Sequence, residues 1–122
     1  ANDVTHLTPL PEVEKSLKEL LEEVAPLAPK ILILHSGDLG RSPIFPWPIS
    51  WIISARTRAV RDIYLRIVPQ SGAHYVDLYG AKVDDEFHTD KDRFYATDYF
   101  HLSGDGYGIW YRETKKVLGS LK

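Results

Sequence analysis

The sequence predicts an α/β fold organised on a parallel sheet, with part of that sheet lying outside the 122 residues of the chain. Three observations lead there. Helical and strand-like segments alternate, which is the pattern of layered α/β architectures. The apolar run 31–34 lacks the in-out alternation of a half-exposed strand and reads as a strand covered on both faces of a parallel sheet. Only two convincing strands are present, and two parallel strands with their helices would leave an uncovered edge and a thin core.

Taken in order, Thr8 followed by Pro9 and Pro11 reads as a helix start, with the hydroxyl as cap and proline in the first turn. Val13, Leu17, Leu20, Leu21 and Val24 then recur at helical spacing among glutamates and lysines, an amphipathic pattern that Pro26 and Pro29 end. The first strand covers 30–34. Residues 36–48, rich in Gly and Pro, read as a long loop at its C-terminal end, where ligands bind in open α/β sheets. A second helix is expected over about 49–68, with Ile52, Ile53, Ala59, Val60, Ile63, Tyr64 and Ile67 inward and its arginines mostly outward. The second strand is expected over 73–79, and 80–100 reads as polar and irregular. A last helix over about 104–118 has Ser103 as N-cap and Asp105 near its positive end. No repeat and no domain boundary is visible, so residues 1–122 read as part of one domain.

Composition excludes more than it selects. A formal net charge of -2 offers no basic surface for nucleic acid or an anionic membrane. No apolar run is long enough to span a bilayer, and the N-terminus has no signal-peptide pattern. With no cysteine, thiol catalysis and thiolate metal sites are excluded, and nothing indicates a compartment. The chain opens on Ala1 rather than Met, which reads as the removal of an upstream portion.

The informative segment is Asp98-Tyr99-Phe100-His101-Leu102-Ser103-Gly104-Asp105-Gly106-Tyr107. A bare Asp-x-x-His is ordinarily a surface Asp and a helix-flanking His. Here the trailing Ser-x-x-Gly-Tyr makes the block resemble that of the SGNH/GDSL hydrolases, esterases and lipases with a serine nucleophile. At the other end, Ala1-Asn2-Asp3-Val4 before a long amphipathic helix resembles the same family's Gly-x-Asn-Asp block with its Gly missing. The intervening order of helix, strand, loop, helix and strand also matches.

The resemblance implies a three-layer α/β/α flavodoxin-like sandwich. It implies hydrolysis of a small carboxylic ester through an acyl-serine intermediate, with His101 as general base and acid, Asp98 as its orienter and Asn2 as an oxyanion-hole donor. No cofactor or metal is implied. The blocks carrying the nucleophilic Ser and the second oxyanion Gly have no counterpart, so the implied partner is an N-terminal fragment of the same hydrolase that supplies both. Gly37-Asp38-Leu39 mimics the nucleophile block, but Leu39 stands where the serine should be. An esterase using its own Ser42 is a further reading. A non-catalytic binding or assembly module derived from such a hydrolase is the alternative.

Other residues stay open. Ile44, Phe45, Trp47 and Trp51 either wall an acyl or alcohol pocket or pack over helix ends and form an interface in a homo-oligomer. His35 ends a strand near the site and reads as a packed or hydrogen-bonded residue. Asp84, Asp85, Glu86, Asp90 and Asp92 lack the spacing of a calcium loop and read as a solvated acidic loop.

Overall fold

The computed structural model describes residues 2–121. It is an α/β fold with a small parallel sheet: β1 (Leu32–His35) pairs with β2 (His74–Asp77) in the register Leu32 with His74 through His35 with Asp77. The helices are α1 (Asn2–Thr5), α2 (Leu10–Val24), α3 (Ile49–Gln70), α4 (Ala81–Thr89), α5 (Lys91–Phe94) and α6 (Gly104–Ser120), with single 3-10 turns at Ala25–Leu27 and Leu39–Arg41. The connection from β1 to β2 runs through α3, so the pair is a βαβ unit.

Two apolar clusters hold these elements. Val13, Leu17 and Leu21 of α2 meet Ile53, Val60, Ile63 and Ile67 of α3, with Val4 of α1 against them and Ile31, Ile33 and Tyr75 from the sheet side. Each fully buried aliphatic side chain there contributes about 1.5–3 kcal/mol relative to exposure. Arg66 clamps the outside of the pair with two bonds to Glu14, at 3.1 and 2.8 Å, and holds that carboxyl down at about 2. The second cluster joins Phe87 of α4, Phe94 of α5 and Ile109 of α6, with Tyr95, Leu102 and Trp110 packed around it.

Several expectations need correction. Thr8 does not cap α2: Pro9 holds the N-cap position without a side-chain bond, and Pro9's carbonyl receives the amides of Glu12 and Val13. Among the described residues β1 is not covered on both faces: Leu34 is 43% exposed, whereas Leu32 and Ile33 are half-buried and His35 is buried. Ile52 faces solvent, and Thr57 takes an inward place on α3, its hydroxyl donating to the Ile53 carbonyl at 2.8 Å. Pro69 lies inside the last turn of α3, which runs on to Gln70.

The largest difference is in 80–100, which carries α4 and α5 in place of a loop. Val83 and Phe87 give α4 an apolar stripe four residues apart, and Asp84 turns inward beside it, which hides the period from a hydropathy reading. The acidic residues are accordingly dispersed. Asp85 meets Arg41, Glu86 meets Arg112, Asp92 accepts from the Tyr99 hydroxyl, and Asp90 caps α5 by accepting from the Arg93 amide. No helix among the described residues is long and apolar enough to cross a membrane.

Candidate functional site

The Asp98–His101 segment is the tip of a short hairpin. Tyr95 and Leu102 form an antiparallel bridge, the Ala96 amide donates to the His101 carbonyl at 2.8 Å, and the Tyr99 amide donates back to the Ala96 carbonyl at 2.9 Å. Tyr99 closes the tip at φ 54°, the left-handed region that side chains other than Gly, Asn and Asp seldom adopt. That backbone turn lets one carboxylate oxygen of Asp98 accept the amides of Phe100 and His101 at 3.0 and 2.9 Å. The other oxygen lies 2.6 Å from His101 Nδ1.

These contacts decide the protonation pattern. The imidazole bond, followed by the two amides, pulls the Asp98 carboxyl down to about 2, so it is ionised at neutral pH. An ionised carboxylate can only accept, so Nδ1 carries the proton, and in the neutral ring Nε2 presents a lone pair. Among the described residues nothing hydrogen-bonds Nε2. The ring sits edge-on to Phe100 at 5.1 Å, and Phe100 in turn meets Phe45 at 5.8 Å, so the 36–48 loop supports the histidine through Phe100.

A cleft of about 160 Å³ opens in front of the histidine and is lined by Asn2, Ser36, Asp38, Ser42, Asp84 and His101 among its polar groups. Its apolar lining is Leu39, Phe87, Phe100, Leu102 and Trp110, with the rings of Tyr95 and Tyr107. Asn2 and the Asp98–His101 pair come from opposite ends of the chain, and Asn2 and His101 border the same cleft. Ala1, the first residue of the N-terminal block, lies outside the described residues. Ile44, Trp47 and Trp51 do not line the cleft; Trp47 is 82% exposed.

The loop after β1 is tied down by side chains whose part in it the sequence did not reveal, and Asp84, expected in a solvated acidic loop, is buried among them. Asp84, only 7% exposed, accepts from the Asp38 amide at 3.2 Å and the Gly80 amide at 3.3 Å. Burial pushes its carboxyl above the ordinary range, and those two amides oppose the rise. Asp38 accepts from the Gly40 amide at 3.0 Å and the Ser54 hydroxyl at 2.9 Å. His88 spans the Asp84 and Arg41 carbonyls at 2.7 and 2.9 Å. The available signal was Asp84 one residue after Val83 and three before Phe87, on the inward side of a stripe too short to recognise.

Ser42 borders the cleft but is buried, and its hydroxyl donates to the Tyr99 carbonyl at 2.5 Å. It fastens the loop to the hairpin tip. His35 is packed, as expected: it is 6% exposed, bonded through Nδ1 to the Ser36 carbonyl and set against the Tyr64 ring at 5.1 Å, and burial lowers its pKa. Among the described residues no three His, Asp or Glu side chains converge on a metal position.

Gly106 explains the glycine of the trailing motif. The Phe94 carbonyl passes so close that a Cβ there would lie 2.2 Å from it, and the same carbonyl accepts the Ser103 amide at 2.9 Å. Ser103 caps α6 through the Gly106 amide at 3.1 Å and also donates to the Arg93 carbonyl. The motif is therefore the device that seats α6 immediately behind His101.

No curated protein and no solved structure matches the chain. Residues 1–109 do match the GDSL-like Lipase/Acylhydrolase family, a span that holds both the Asn2 end and the His101 hairpin of the cleft. With nine-tenths of its length inside that match, the chain belongs to the GDSL-like lipase/acylhydrolase family.

Proposed function

We propose that the chain contributes the base, its orienting carboxylate and an oxyanion donor to a serine hydrolase of carboxylic esters, the nucleophilic serine lying on a polypeptide segment outside residues 1–122. The observation that carries this reading is the 2.6 Å contact of Asp98 with His101 Nδ1, which keeps Nε2 for other work on a histidine that borders the same cleft as Asn2. The serine hydroxyl gives its proton to Nε2 while its oxygen bonds to the ester carbon. The charge that develops on the carbonyl oxygen is met by the Asn2 amide and by a backbone N–H of the same outside segment. As the intermediate collapses the ester C–O bond breaks, and the imidazolium returns its proton to the leaving alkoxide. Water then repeats the sequence on the acyl-serine, which releases the acid and restores the serine.

The outside position of the serine is supported by Ser42, whose hydroxyl is occupied by the Tyr99 carbonyl. The same segment would extend the sheet and complete the three-layer sandwich, covering the face on which Leu34 is exposed. The test is ester hydrolysis by the chain combined with that segment. His101→Ala lowers kcat by about 10²–10⁴-fold and Asn2→Ala by about 10²–10³-fold, with the fold intact. An unchanged kcat in His101→Ala overturns the assignment.

A further inference from the structure

Resting on the acylhydrolase reading, we propose that His88, which does not line the cleft, is a positioning residue for His101: as a doubly donating imidazolium it locks the peptide between Arg41 and Ser42, and with it the tip of the hairpin. Both nitrogens of its ring meet backbone carbonyls, Nδ1 that of Asp84 at 2.7 Å and Nε2 that of Arg41 at 2.9 Å. A carbonyl only accepts, so the ring fills both bonds only with a proton on each nitrogen. Loss of either proton sets a ring lone pair against a carbonyl oxygen, and the tie between α4 and the loop loosens.

The tie leads to the catalytic pair in two steps. The Arg41 carbonyl belongs to the same peptide as the Ser42 amide, which donates to the Leu39 carbonyl at 3.1 Å. The Ser42 hydroxyl then donates at 2.5 Å to the carbonyl of Tyr99, the residue at φ 54° between Asp98 and His101. Held at its oxygen, its N–H and the next hydroxyl, this peptide cannot rotate without moving the hairpin tip. The anchor on α4 is firm, because the Asp84 side chain accepts the Asp38 and Gly80 amides.

The charged groups of the elements that meet here are otherwise engaged. On α4, Asp84 holds those two amides and Asp85 accepts from the Arg41 guanidinium at 2.9 Å. In the loop, Asp38 accepts from Gly40 and Ser54. On α5, Asp90 caps its own helix, Asp92 accepts from the Tyr99 hydroxyl and Lys91 lies over the Tyr99 ring. The two carbonyls therefore decide what the ring must donate.

The test compares wild type, His88→Gln and His88→Ala, each as the chain combined with its outside segment. A glutamine amide donates at any pH and alanine at none. His101 by itself, neutral when it acts as base, gives a kcat that climbs with pH to a plateau. The expected result is that plateau for His88→Gln, and the same shape for His88→Ala at a kcat about fivefold lower, the population change set by one hydrogen bond of ordinary net strength. Wild-type kcat follows His88→Gln at low pH and falls towards His88→Ala at high pH, with KM unchanged. In the ¹⁵N-labelled wild type both His88 ring nitrogens carry protons at low pH, and the Ser42 and Tyr99 amide resonances move as the ring titrates; in His88→Gln that movement is absent.

Coincident kcat–pH profiles for the three proteins, or Ser42 and Tyr99 amides that ignore the His88 titration, overturn the proposal. If those amides follow His88 while His101→Ala hydrolyses esters normally, the catalytic assignment fails and the tie stands. If hydrolysis depends on His101 but the three profiles coincide, the positioning role fails alone.

Discussion

Replacing Gly106 by alanine tests the packing that places His101. In an open helix position this change is stabilising by roughly 0.5–1 kcal/mol, because alanine orders less chain on folding. At Gly106 the new Cβ lies 2.2 Å from the Phe94 carbonyl oxygen and 3.1 Å from Leu102 Cβ. The carbonyl cannot simply retreat, since it accepts the Ser103 amide at 2.9 Å. Relief requires α6 to lift from the hairpin, at about 1–3 kcal/mol for the overpacking and about 1 kcal/mol for the weakened bond. Against the helical gain, the net is a destabilisation of about 1–3 kcal/mol. Urea unfolding measures it, with Gly108→Ala as internal control, because nothing lies within 4 Å of a Cβ at Gly108. Gly108→Ala should be neutral or stabilising. A Gly106→Ala protein as stable as Gly108→Ala would refute the close approach and, with it, the physical account of the motif.

Three other outcomes follow. The Asp98 carboxyl titrates at about 2, so its contribution to the hairpin is fully present above the ordinary carboxylate value of 3.8 and disappears as pH falls through about 2; carbon-detected NMR titration reads this, and His101→Ala should move the midpoint upward because the imidazole bond is the largest cause of the depression. Tyr99→Val, which places a β-branched residue at φ 54°, should cost about 1–2 kcal/mol and break the Asp98–His101 contact, whereas Tyr99→Gly should keep it, as followed by the His101 ring shifts. Gly40→Ala should fail to fold or lose several kcal/mol in thermal unfolding, since a Cβ would lie 2.1 Å from Ser54 Oγ and 2.3 Å from the Ser50 carbonyl.

What was legible in the sequence was local. Ser103 as a cap needs only its own hydroxyl and the amide three residues on, and Asp98 reaches His101 within a single turn, so residue type and spacing sufficed for both. α2 and α3 announce themselves because their apolar stripes persist over several turns. The features that escaped depend on distant partners. Asp84 is buried because amides at Gly80 and, across 46 residues, at Asp38 receive its oxygens, and no hydropathy pattern encodes that. α4 offers two apolar residues and several acids, too little for a period. The aromatic loop was read as a single patch, yet Phe45 packs on Phe100 while Trp47 faces outward. The apolar run at β1 shows that an unbroken hydrophobic strand need not be covered on both faces by the residues around it.

The central claim is that the imidazole of His101 takes its proton from a serine that these residues do not contain. A fluorophosphonate, which bonds covalently to an activated serine oxygen, should label the chain combined with its outside segment, and peptide mass mapping should locate the adduct outside residues 1–122, with labelling abolished in His101→Ala. An adduct on Ser42, or equal labelling in the absence of His101, would contradict it.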